Sequence, residues 1–232
     1  MRTLLYVPVI HMEADLGSIA DSVAKRTIAE LGEETWARHK ETVSGFWDAI
    51  IKYFNGIKAA NLRVYQDGMV VGGDIGRKIV SEGVKSGSKN YEVLSALMEQ
   101  GAILEKTEDL AAVIKERDSL VKLKNAVTVR QKMSAYILYK MRKNSLLVKR
   151  DGFIADRINR TLKEGETGVL FIGAYHNVIP LLDKDIMAKE IKEVEKIRAY
   201  QKMLLYGRKD KEFEVLSSYM ISPVDDTLAS LS

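Results

Sequence analysis

Cysteine is absent from this 232-residue chain, which excludes disulfides, thiolate nucleophiles and zinc-thiolate sites. The absence fits the reducing cytosol, and a cytoplasmic protein is the expectation. No apolar run approaches the roughly 18 residues that a membrane span requires, so no membrane partner is expected. The amino-terminal run meets Pro8 and then His11, Glu13 and Asp15 without a small-residue cleavage site, which reads as a first strand rather than a signal peptide. A Walker-type phosphate loop, a G-x-G-x-x-G turn opening a helix and a G-x-S-x-G nucleophile elbow are all missing. The cluster from Val71 to Arg77 has glycines at the wrong spacing for a nucleotide loop and reads as a tight turn. Nucleotide-dependent and serine-hydrolase chemistry therefore start at a disadvantage.

Histidine is scarce too, with three in the chain, and that scarcity makes their positions informative. The buried-strand run Val169 to Ile172 ends in Gly173-Ala174-Tyr175-His176, and the run Leu4 to Ile10 ends in His11. Open α/β sheets place their ligands just past the carboxyl ends of their strands. The third histidine, His39, falls off the apolar stripe of its helix and is expected on the surface without a role.

Hydrophobic content of 46% and charge of 29% are those of an ordinary globular chain long enough to bury a core. Trp36, Val43, Trp47, Ile50, Phe54 and Ile57 fall on one helical face, so both tryptophans are core candidates. Further strands are expected at Leu62 to Tyr65, with a short return through Met69 to Val71, at Ala102 to Glu105, and at Ile186 to Ile191. Helices are expected after Ser18, over Arg77 to Glu82, over Asn90 to Gln100, after Thr107, before Gly165 and over Glu193 to Leu205.

Alternating strands and helices predict an α/β fold, a mainly parallel sheet of four to five strands flanked by helices, with long helical insertions. One domain is expected over 1–232, with 207–232 as a loosely packed tail. Parallel strands bring four segments to one rim, namely His11 to Asp15, Gln66 to Gly68, Glu105 to Glu108 and Gly173 to Asn177.

Between Ser119 and Arg150 lie nine Lys or Arg and no acid, while the rest of the chain carries 27 basic against 32 acidic residues. The segment reads as the solvated face of a long helix broken near Asn144-Ser145, and nucleic-acid binding is the third-ranked function. In the helix before the key strand, Leu147, Ile154, Ile158 and Leu162 share one face, and Asp151 sits in the middle of that stripe. A buried acid needs a partner, so Asp151 is either salt-bridged structurally or faces a polar pocket.

Histidine at neutral pH serves as general base when a carboxylate fixes its tautomer. His11 or His176 with Glu13, Asp67 or Glu105 could activate water, and the same set could hold a divalent metal through His11 and His176.

The stretch Lys149-Arg150-Asp151-Gly152-Phe153-Ile154-Ala155-Asp156-Arg157-Ile158, followed through Gly165 by Gly168 to His176, resembles the carboxyl-terminal signature of the TraB/Tiki/erythromycin-esterase/ChaN-like superfamily. His11 matches the placement of that superfamily's first histidine motif. Pro8 stands where its glycine usually is, and the acid at the end of the second strand is displaced to Asp67.

The resemblance implies a compact α/β fold with a strand-end cleft and an ester or peptide hydrolase, metal-dependent in some members, with haem-binding and regulatory proteins among the relatives. It implies His11 and His176 as site histidines, Arg150 as electrostatic partner and Asp151 as its orienter.

The leading expectation is a hydrolase acting on a small-molecule or peptide substrate. Its catalytic set is His11, His176, Glu13 and Arg150, and Asp67, Glu105, Tyr175 and Asp151 contact the substrate. The alternative is a non-catalytic module holding haem or an anionic metabolite, or a regulatory protein. The long apolar helices make a homodimer an expectation as well.

Overall fold

The computed structural model describes residues 1–12, 15, 24–25, 28–29, 32–111, 113–114, 129–206 and 210–225, with the backbone alone at 129–144, 205–206 and 210. The helix expected after Ser18, residue Glu13, and the basic residues between 115 and 128 lie outside them.

Five apolar runs form the sheet: β1 (Arg2–Val9), β2 (Leu62–Gln66), β3 (Ile103–Glu105), β4 (Thr167–Gly173) and β5 (Ile186–Glu190). All pairs are parallel, in the order β3-β2-β4-β1-β5, so this is the α/β fold expected. Met69 to Val71 makes no return strand. Instead Thr107 and Glu108 donate their backbone N–H groups to the Met69 carbonyl, which ties the end of β2 to the end of β3.

The central strands are covered on both faces, which is why β4 and β1 read as continuous apolar runs rather than alternating ones. Phe171 meets Phe54 from one side at 5.7 Å between ring centres. Gly168, of opposite parity, lies against Leu162 from the other side. Pro8 is tolerated in a central strand for a local reason. Tyr6 directs its backbone toward β5, accepting from the Ile191 N–H, and Pro8 faces the same way two residues later, beyond the last β1–β5 pair, Tyr6 with Glu190.

The helices are α1 (Glu33–Asn55), α2 (Gly73–Lys85), α3 (Lys89–Glu99), α4 (Val129–Thr161), α5 (Val194–Tyr206) and α6 (Asp210–Ile221). Trp36, Val43, Trp47, Ile50 and Phe54 are buried as their spacing requires, and the Trp47 indole donates to the Ile10 carbonyl at 3.0 Å. That bond anchors the chain where it leaves β1 for His11. α4 runs unbroken through Asn144-Ser145, contrary to the sequence expectation. Its last turns bury Ile154, Ala155, Ile158 and Leu162 against the sheet.

Two further expectations are corrected here. His39 is not surface-exposed: α5 packs against it, Tyr200 Oη lies 3.0 Å from Nδ1, and burial pushes its pKa down to about 4. The segment after 207 is not a loose tail over its described part, because α6 buries Phe213, Leu216 and Met220 against α1 and α5. Gly45 on α1 shows how tight that packing is, since a Cβ there would lie 2.7 Å from Ile221 Cγ2. The end of α6 is also clamped, with Lys192 Nζ donating to the carbonyls of Tyr219 at 3.1 Å and Ser222 at 2.7 Å. The pattern was hard to read because α6 presents a few large residues among many polar ones.

Phe213 stacks on Tyr200 with ring centres 5.2 Å apart and is 1% exposed. Phe213→Ala is therefore expected to cost about 3–5 kcal/mol in chemical denaturation. A loss under about 1 kcal/mol, the range of surface substitutions, would show that α6 does not belong to the cooperative core.

Candidate active site

The parallel sheet delivers Asp67, Glu108 and His176 to one rim from three adjacent strand ends, and α4 adds Arg150 and Asp151 from above. The Gly173–His176 turn is closed by the His176 N–H donating to the Gly173 carbonyl at 3.0 Å. It turns the imidazole inward, where the residue is 6% exposed. Asp151 Oδ1 lies 2.5 Å from Nδ1, and Asp67 Oδ2 lies 3.3 Å from Nε2. Both ring nitrogens therefore face carboxylates.

Each carboxylate is held in turn. Asp151 Oδ2 accepts from the Asn177 N–H at 3.0 Å, and Asp67 Oδ2 accepts from the Gly173 N–H at 3.4 Å. Asp67 Oδ1 accepts from the Arg150 guanidinium at 2.7 Å, which also donates twice to Glu108 Oε1, at 2.7 and 2.9 Å. The order Asp151, His176, Asp67, Arg150, Glu108 makes one continuous line of charged or titratable groups.

Helical geometry explains why α4 can serve both core and site. Asp151, Ile154, Ile158 and Leu162 share a stripe, so the stripe that lies on the sheet ends, one turn beyond it, in an acid at the rim. Of the two readings left open for Asp151, the structure supplies the partner, which is the imidazole of His176.

Burial opposes protonation of His176, yet the hydrogen bonds and charges of Asp67 and Asp151 outweigh it and raise its pKa above the ordinary 6.5. Burial likewise works against the Asp67 charge, but the His176 hydrogen bond, followed by the charges of His176 and Arg150, holds its carboxyl far below the usual range. For Glu108 burial prevails and pushes the carboxyl up, against the Arg150 hydrogen bonds.

The other expected site residues are placed differently. The His11 side chain is 56% exposed at the end of β1, with Asp15 Oδ2 3.9 Å from its Nδ1, so Asp15 is its acid neighbour among the described residues. Asp15 is itself tied down by the Met12 N–H at 2.7 Å and by the Ser88 hydroxyl. Tyr175 is 47% exposed, in contrast to the buried His176 beside it.

Glu105 does not join the site. It is still inside the sheet, one diagonal step from Arg63, and pairs with Arg63 Nη1 at 2.5 Å and Arg157 Nη2 at 3.2 Å. Arg157 sits seven residues along α4 from Arg150, roughly 10 Å down the axis from the rim. Glu108, three residues later and past the strand end, occupies the place that Glu105 was expected to fill.

The divalent-metal expectation for His11 and His176 gains no support from the donor set. Among the described residues no group of three or more His, Asp and Glu side chains is arranged to hold an ion, and His176 has a carboxylate on each ring nitrogen. The same engagement argues against His176 as an axial haem ligand.

Sequence reading missed Arg198 as well. From α5 it donates to the Ala174 carbonyl at 2.6 Å and the His176 carbonyl at 3.2 Å, which pins the turn that carries the imidazole. No local signal marks it, since its partners are backbone atoms 22 and 24 residues away.

The charge line sets a pH window for stability. A pKa of His176 above its unfolded 6.5 contributes stability that is fully present below pH 6.5 and lost as the pH rises through the folded value. A pKa of Asp67 below its unfolded 3.8 contributes stability that is present above pH 3.8 and lost as the pH falls through the folded value. The Tm difference between wild type and His176→Asn is thus expected to shrink as the pH is raised beyond 6.5. Parallel Tm–pH curves across that range would refute the assignment.

Compared with known proteins, the chain matches no family model, no curated protein and no solved structure.

Proposed function

We propose that the chain is a hydrolase of ester or peptide bonds in which His176 is the proton-transfer residue. The observation that carries the reading is the buried Asp151–His176–Asp67 line at the strand-end rim. Burying three ionisable groups costs several kcal/mol per ion before their contacts offset it. Groups so perturbed and so placed are characteristic of catalytic sites. The motif resemblance to the TraB/Tiki/erythromycin-esterase/ChaN-like superfamily supports the same chemistry.

In this reading Asp151 fixes the imidazole through Nδ1, so that the working atom is Nε2. Asp67 faces that atom and exchanges a proton with it, which lets His176 act as the acid toward a leaving group and Asp67 draw a proton from water. Arg150, on the far side of Asp67, keeps that carboxylate ionised and lends positive charge where a tetrahedral oxyanion would form. His11 stands at the exposed mouth beside the next strand end and contacts the solvent-facing part of a small-molecule or peptide substrate.

His176→Ala is a poor test, because it would leave Asp151 buried opposite a void. Asn at this position keeps a donor toward Asp151 and removes the titrating ring. Screened against p-nitrophenyl esters and fluorogenic peptides, the parent is expected to hydrolyse at least one class, and His176→Asn to lose about 10²–10⁴-fold in kcat while retaining its circular dichroism. A parent inert across the panel, or a folded His176→Asn of undiminished activity, overturns the proposal.

A further inference from the structure

Among the described residues Glu108 is the most deeply buried acid of the rim, at 0% exposure, and its two oxygens are treated unequally. Oε1 takes both Arg150 hydrogen bonds, whereas Oε2 is buried and faces no donor. An ionised carboxylate oxygen in that position forfeits its hydration without compensation. Its acid neighbour among the described residues is Asp67, whose Oδ1 accepts from the same Arg150 Nη2 that bonds Glu108 Oε1, each at 2.7 Å.

The charge count of the cluster leads to the same place. Among the described residues three carboxyl groups, Asp67, Glu108 and Asp151, face two bases, Arg150 and His176. With every one charged, these five groups would carry a net negative charge; one proton on a carboxyl brings the five to neutral, the arrangement a low-dielectric site favours. Hydrogen bonds select which carboxyl takes it. Asp67 accepts from Arg150 and the Gly173 amide and is ion-paired with His176, and Asp151 accepts from His176 and the Asn177 amide, so both oxygens of each are served. Of the three, only Glu108 has an oxygen that no donor reaches.

We propose that Glu108 is a neutral carboxylic acid in the resting protein, with its proton on Oε2 and directed to Asp67, and that it serves as the proton store of the site. Glu108 acts through Asp67 and is a positioning residue. This inference deepens the acid–base reading above and rests on it for its use in turnover. Once His176 has given its Nε2 proton to a leaving group, the O–H bond of Glu108 breaks, an Asp67 oxygen takes the proton, and Asp67 passes one to Nε2. Glu108 is left as a carboxylate on Arg150. Asp67, a carboxylate again, then draws the proton that the attacking water releases and hands it to Glu108, so the cycle closes without a net gain or loss. The groups facing Glu108 in this exchange are Arg150 from α4 and Asp67 from the end of β2, with His176 next in line.

The test needs no substrate. In protein labelled with ¹³C at the glutamate side-chain carboxyls, one glutamate is expected to keep the protonated-acid carbon shift at neutral pH. The matching protonated-carboxyl infrared band is expected to vanish in Glu108→Gln. Because Gln is isosteric with the neutral acid, the Glu108→Gln Tm should stay near that of wild type, and the His176 ring titration should be conserved. Glutamate signals that are all carboxylate-like at neutral pH overturn the proposal, and the wild-type protein alone decides this even if the variant fails to fold. A protein with the protonated signal but no hydrolytic activity keeps this inference and loses the hydrolase reading. An active protein without the signal does the reverse.

Discussion

The contact between Asp151 and Nδ1 of His176 is the constraint on which the rest of the rim depends. A carboxylate buried to 4% exposure in the middle of an apolar helix stripe is tolerable only if something supplies donors to both of its oxygens. The imidazole supplies one and the Asn177 amide the other, and both come from the turn after β4. Helix and turn are thereby locked to one another. With the ring fixed at Nδ1, its other nitrogen meets Asp67 from the next strand. Arg150, adjacent to Asp151 on the helix, is then within reach of both Asp67 and Glu108.

The scaffold behind this line is rigid where it has to be. β4 lies between β1 and β2, paired on both edges, and its residues Val169 to Ile172 are wholly buried. A strand so placed cannot shift register without turning its apolar side chains out of the core. The turn beyond it is held at its carbonyls by Arg198 and at its histidine by two acids. The β1 end is looser, since the His11 side chain is 56% exposed and its acid neighbour among the described residues, Asp15, stands 3.9 Å away.

Much of this was legible along the chain. The strand runs, the helix stripe with Trp36 and Trp47, the strand-end histidine and the acid inside an apolar stripe are local signals, and each follows from a periodicity of two or 3.6. Glu105 and Glu108 show where local reading fails. Glu105 ends the short strand β3 and Glu108 lies just past it, and the side of the strand end on which an acid falls decides between a diagonal ion pair with Arg63 and a place in the buried line. His39 failed for a related reason: its own helix put it off the buried stripe, but α5, more than 150 residues later, closed over it. α6 went unread because three buried side chains among polar neighbours suffice once Gly45 lets the helices approach.

By itself, then, the sequence determined the parallel α/β class, the exclusion of cysteine chemistry, and the placing of His176 and Asp151 as residues in need of partners. Those conclusions rest on spacing and on the cost of burying polar groups, which do not depend on knowing the neighbours. Only the tertiary structure decided that the two partner one another, that Asp67, Arg150 and Glu108 extend the line, and that His11 stands apart from it. These are pairings between residues 25 to 109 positions apart, set by strand order and by the level at which α4 crosses the rim, and no local pattern encodes either.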